Sequence, residues 1–145
     1  MSKNIKVLFS LLIILCIGCT GCNLEHNSIA EEYSKETYIR IENIPKDTIL
    51  GMNMKVMDGG NVCETQEMQM ASEKSTGKGD VTFRINKEEL PEGTDFSTLC
   101  AVVSVLEKDG SEFEVAGGTL LFEFGTDYWY ELMFENGKYY LKKVL

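Results

Sequence analysis

Between residues 37 and 144 the chain is built of short apolar segments whose side chains alternate in character. Val81, Phe83 and Ile85 share one parity while Thr82 and Arg84 share the other, and Leu120, Phe122 and Phe124 alternate with Leu121 and Glu123. A period of two puts successive side chains on opposite faces of a strand, so these segments read as strands with one wet face. Turn words separate them: Gly59-Gly60-Asn61, Gly77-Lys78-Gly79-Asp80, Asp109-Gly110-Ser111, Gly117-Gly118 and Asn136-Gly137. Gly and Asn tolerate the backbone conformations that tight turns require. The pattern predicts strands over 37–42, 49–57, 61–71, 80–85, 98–107, 112–116, 119–124, 127–135 and 138–144, with some neighbours free to merge.

Residues 99–106, LCAVVSVL, are apolar at both parities and predict a strand covered on both sides. At the C-terminus, WYELMFENGKYYLKKV reads as a hairpin turning at Asn136-Gly137, the strongest short-range hairpin signal. Many short strands joined this way predict an all-β fold, a β-sandwich or small barrel of about seven to nine strands. An Ig-like arrangement is one form of it. The stretch GKGDVTFRI, followed by Leu90-Pro91-Glu92-Gly93-Thr94 and then a strand, is similar to the turn-strand, LPxGxY-like and strand pattern of prealbumin-like sandwich domains. That resemblance spans about residues 75–106 and includes the repeats of Gram-positive surface adhesins. It implies a prealbumin-like sandwich.

The N-terminus follows a different grammar. Lys3 and Lys6 precede an apolar run from Val7 to Ile17, interrupted only by Ser10. A membrane-crossing helix needs roughly 20 apolar residues, so this run is an export-signal h-region rather than a span. It ends in Ile17-Gly18-Cys19 and Thr20-Gly21-Cys22, which resembles the lipobox of bacterial lipoproteins, with Cys16 or Cys19 standing where that family prefers Leu. The resemblance implies cleavage before a cysteine whose sulfur then carries lipid. Choosing Cys22 leaves Cys63 and Cys100 as an even pair in the exported chain; Cys19 is the alternative anchor. The expected organisation is a signal peptide over 1–21, a tether over 22–36 and a β-sandwich domain over 37–145. The tether, Asn23 to Glu36, is polar and without period. The partner implied by the anchor is membrane lipid. The location implied is the bacterial cell envelope, on the outer side of the cytoplasmic membrane or in the outer membrane.

Charge narrows the remaining functions. Removing Lys3 and Lys6 leaves 14 − 2 = 12 basic residues against 23 acidic ones, a net charge of 12 − 23 = −11. Such a surface argues against nucleic acid and against anionic polymers as partners. The single histidine, His26, lies in the tether, so the domain has no histidine for a Ser-His or Cys-His pair or for a zinc site. Phosphate-loop and dinucleotide fingerprints are missing from the sequence. The expectation is therefore a protein that is not an enzyme and needs no cofactor or metal. A small glycan-active enzyme built on paired carboxylates is a distant alternative.

Three constellations invite chemistry. Met52, Met54, Met57, Met68 and Met70 surround Cys63 in sequence, a soft donor set suited to Cu(I). Alternation instead assigns Met52, Met54, Val56, Val62, Met68 and Met70 to one buried face, where methionine fills gaps. Cys63 and Cys100 are candidates for one disulfide or for two separate thiols. In the C-terminal hairpin, Tyr128, Tyr130, Leu132 and Phe134 share one parity and Trp129, Glu131 and Met133 the other. If the first is core, Trp129 and Tyr140 form an exposed aromatic strip for an envelope glycan or protein. The functional expectation is a lipid-anchored binding or envelope-interaction module, with a structural, adhesin-type accessory subunit as the alternative.

Overall fold

The computed structural model describes residues 34–144, so the leader, Cys19, Cys22 and most of the tether lie outside the described residues. Eight strands follow one another without a helix among the described residues: β1 (Glu36–Pro45), β2 (Ile49–Asp58), β3 (Asn61–Gln69), β4 (Lys78–Asn86), β5 (Leu99–Glu107), β6 (Glu112–Leu121), β7 (Tyr128–Glu135) and β8 (Lys138–Lys143). The protein is all-β, as the alternation predicts. Its strands hydrogen-bond in the single order β3-β2-β5-β6-β8-β7-β1-β4. The run is one eight-stranded sheet coiled around a core, nearly a barrel. β1 pairs β7 in parallel and β4 antiparallel.

β6 is the element that makes the run continuous. The segments expected at 112–116 and 119–124 form this one strand, which ends at Leu121. Its two ends pair β5, but the register jumps from Val102↔Thr119 to Ser104↔Glu114. The residues between them leave the β5 ladder, and Ala116 there makes the one bridge to β8, opposite Tyr140. Gly117 allows the detour by adopting a positive φ of 68°. Phe122 lies beyond the strand yet remains buried, and it meets Phe124 edge-to-face at 5.7 Å.

The core is the inner face of this coil. Ile39, Ile41, Met52, Met54, Val56, Phe83, Ile85, Ala101, Val103 and Val105 are fully buried there. β1 keeps its face inward through a bulge between Ile41 and Ile44, where Asn43 takes a φ of 61° and its side-chain amide donates to Glu131. Asn accepts that left-handed conformation more readily than most residues. The two ends of the run, β3 and β4, approach each other: the Gln66 side-chain amide donates to the Arg84 carbonyl.

Two expectations about burial are corrected. Met52, Met54 and Val56 are core, but Val62 is 54% and Met68 37% exposed: a register shift between Val56 and Met57 turns Val62 to the outer face opposite Met57, and Met68, opposite the buried Met52, is little covered. β5 is not covered on both sides. Leu99, Ala101, Val103 and Val105 are buried, whereas Cys100, Val102 and Leu106 on the outer parity are only half-buried. Those outer residues are flanked by strands on both sides but capped by no second layer.

Candidate functional site

The outer face of β4-β1-β7 carries an unusual density of aromatic and charged side chains. Antiparallel pairing sets Tyr38 opposite Arg84 and Arg40 opposite Thr82. Parallel pairing with β7 sets Arg40 beside Trp129. In-register neighbours project to the same face, so three strands bring these side chains together. Tyr38, Arg40, Thr82, Asp127, Tyr128 and Trp129 line an open surface cavity of about 420 Å³.

Hydrogen bonds and ion pairs hold this lining in place. The Arg40 guanidinium lies 5.1 Å from the centre of the Trp129 ring, a cation–π distance. The same guanidinium pairs with Glu42 at 3.0 Å and Asp80 at 3.2 Å. Arg84, one register position along, pairs with Glu36 at 2.6 Å and Glu89 at 3.1 Å. The Tyr38 hydroxyl donates to Glu36 at 2.6 Å. Hydrogen bonds from Arg84 and then Tyr38 hold the Glu36 carboxyl below its ordinary range, while donation to that carboxylate pushes the Tyr38 hydroxyl up. The backbone N–H of Glu123 donates to the Tyr128 hydroxyl at 2.9 Å, and the Lys143 ammonium stands 5.2 Å from the centre of the Tyr128 ring.

The structure separates the two aromatic residues expected to share a site. Tyr130 and Leu132 are core, which leaves Trp129 on the outer parity with 37% of its surface exposed. Tyr140 shares that face, since it pairs Met133 across the hairpin. Yet Met133 stands four residues along β7 from Trp129, about 13 Å at the rise of a strand. Tyr140 is therefore outside the cavity, and its hydroxyl bonds to Glu135 instead. Tyr38, Arg40, Thr82, Asp127 and Tyr128 were not among the expected site residues. Tyr38, Arg40 and Glu42 do alternate with Ile39 and Ile41, which marks them as outward-facing. What the pattern does not carry is the parallel β1–β7 pairing that brings them to Trp129.

The cysteine and methionine sets do not assemble. Cys63 and Cys100 are free, half-buried thiols. They lie on β3 and β5 with β2 between them. Two strand spacings are about 9.6 Å, beyond the roughly 7 Å that a disulfide spans between Cα atoms. Cys100 belongs instead to an outer-face row in which Val62, Met57, Cys100 and Leu121 stand in register across four strands. Met57 faces outward there, whereas Met52 and Met54 are sealed in the core, so the soft donors are divided between the two sides of β2.

Fold and cavity together define an all-β domain that presents an aromatic, ion-paired depression on one outer sheet face. No family model matches the chain, and no curated protein matches it. Solved structures similar to it include a protein from Eubacterium rectale determined by NMR, with a TM-score of 0.44 and 16% identity over 76% of this chain and 89% of that one. Another is FlgD from Xanthomonas campestris, described in connection with hook capping in flagellar assembly, with a TM-score of 0.30 and 11% identity over 81% of this chain and 87% of that one. Neither likeness carries a function to this chain.

Proposed function

We propose that the protein is a lipid-anchored, extracytoplasmic binding module of the bacterial envelope that acts without catalysis. The anchor reading is supported by the apolar leader ending in Cys19 and Cys22. The observation that carries binding is the Trp129 cavity. A partly exposed indole beside an arginine, with two tyrosines lining the same depression, brings apolar ring surface and polar groups together in one cleft. Clefts of about 300–1,000 Å³ with a few convergent polar groups are the usual form of a ligand site. The site's ion pairs are already satisfied within the sheet. It offers a fixed surface rather than a reactive group.

Two measurements test this reading. Metabolic lipid labelling should be lost in Cys22→Ala, or in Cys19→Ala if that residue is the anchor; labelling of both variants at the parental level would remove the anchor. Retention of the purified full-length chain on isolated, untreated envelope should drop about tenfold in Trp129→Ala at unchanged melting temperature. Equal retention of parent and variant would remove the cavity as the binding site.

A further inference from the structure

The charges around the cavity select among ligands. Arg40 and Arg84 are the two guanidinium groups on this face, and each is held between two carboxylates: Glu42 and Asp80 for the first, Glu36 and Glu89 for the second. Asp127 adds another carboxylate at the rim, and the Lys143 ammonium over the Tyr128 ring adds a cation. With Glu131 opposite Lys142 and with Lys78 beside Asn43, six carboxylates share this face with two arginines and three lysines, and each arginine is held by carboxylates of the protein itself. A phosphate or carboxylate ligand would have to displace an arginine's existing carboxylate partner, so the site is built against anions.

What remains is suited to an uncharged, hydroxyl-rich ligand with an apolar face. Trp129, Tyr38 and Tyr128 supply flat apolar bodies with polar tips. Thr82 and Asp127 supply a hydroxyl and a carboxylate that accept or donate to ligand hydroxyls from the same depression. Arg40 is stacked and ion-paired, which fixes the indole plane before a ligand arrives and lowers the ordering cost of binding. The geometry points to a neutral pyranose unit of a glycan as the ligand, with its apolar face on Trp129 and its hydroxyls on Asp127 and Thr82. This assignment rests on the binding-module reading and makes it specific.

The chain contains one tryptophan, so intrinsic fluorescence reports on this site alone. The full-length protein, held in a detergent without a sugar headgroup, is titrated with chitotriose, maltotriose, cellotriose and mannotriose, and in parallel with oligogalacturonate and glycerol phosphate oligomers. The expected result is a saturable spectral shift with at least one neutral trisaccharide at up to millimolar concentration and none with the anions. Asp127→Asn should weaken that binding several-fold, and calorimetry with Trp129→Ala should show about a tenfold loss or more, each at unchanged melting temperature. Tighter binding of either anion, or no shift with any neutral trisaccharide, overturns the assignment. In the latter case, envelope retention that still depends on Trp129 leaves the binding module standing with a protein ligand in place of a sugar. Retention that does not depend on Trp129 removes both.

Discussion

β3 and β4 are both edge strands, and they bury their side chains very differently. β4 alternates strictly and places Val81, Phe83 and Ile85 in the core. β3 presents Glu64, Gln66 and Met68 opposite the buried Val56, Met54 and Met52, and no large side chain of β3 is fully buried. The difference lies in what each strand covers. β4 sets Ile85, Phe83 and Val81 beside the buried Thr37, Ile39 and Ile41 of β1, whereas β3 sets the polar Glu64 and Gln66 beside Val56 and Met54 and adds little to the core. Being last in a sheet does not decide an element's energetic weight; the apolar surface beneath it does. The amide of Gln66 on the Arg84 carbonyl then closes the gap with a side chain where a ladder would otherwise run.

The comparison is most easily broken at Phe83. Phe83→Ala should lose about 3–5 kcal/mol of unfolding free energy, measured by denaturant titration, because a fully buried ring leaves a cavity. A loss below about 1 kcal/mol would mean that β4 carries no more than an ordinary surface strand.

Tyr139 tests the opposite junction, where β8 meets the β5–β6 side. Its hydroxyl donates to Glu107, and burial first, then this bond, pushes the hydroxyl's pKa well above the ordinary tyrosine range. The folded chain keeps this proton where the unfolded chain gives it up, above about pH 10. Stability supplied by Tyr139 is thus complete below that pH and falls as pH rises past it. Tyr139→Phe should cost about 1.5 kcal/mol at neutral pH and flatten the alkaline decline. An unchanged alkaline limb would place the lost proton elsewhere.

Gln66→Ala comes next in size. Losing its bond to Arg84 should cost about 1 kcal/mol and speed hydrogen exchange in β3 roughly fivefold, with β1 and β4 nearly unaffected. Equal acceleration in all three strands would show that the seam opens only with the whole fold. The smallest effect belongs to Met68→Ala, expected within about 0.5 kcal/mol of the parent; a core-sized loss would contradict its exposure.

The same pair of strands shows what was legible in the sequence. β4's Val81, Phe83 and Ile85 announce their burial through a local rule, and the Asn136-Gly137 hairpin does so too. In β3, Met68 matches the parity of Met52 and Met54 and still lies exposed, since parity assigns a face but not whether anything covers it, and Val62 leaves that face because the register shifts between Val56 and Met57. Cys63 and Cys100 pose the same problem: whether they meet depends on strand order, and β2 intervenes. At the cavity, the outward placement of Trp129 follows from local alternation. Arg40 and Tyr38, almost ninety positions upstream, reach it through a parallel pairing that leaves no mark on neighbouring residues.

β1 has one more property, in terms of mechanics. It receives the chain from the N-terminal side at Glu36 and lies between β4 and β7, bonded to both. A force applied at Glu36 along the strand's axis would load its two ladders together rather than peel one pair at a time. Force directed along β1 in this way meets a shear joint, and the same strand carries Tyr38 and Arg40 at the cavity.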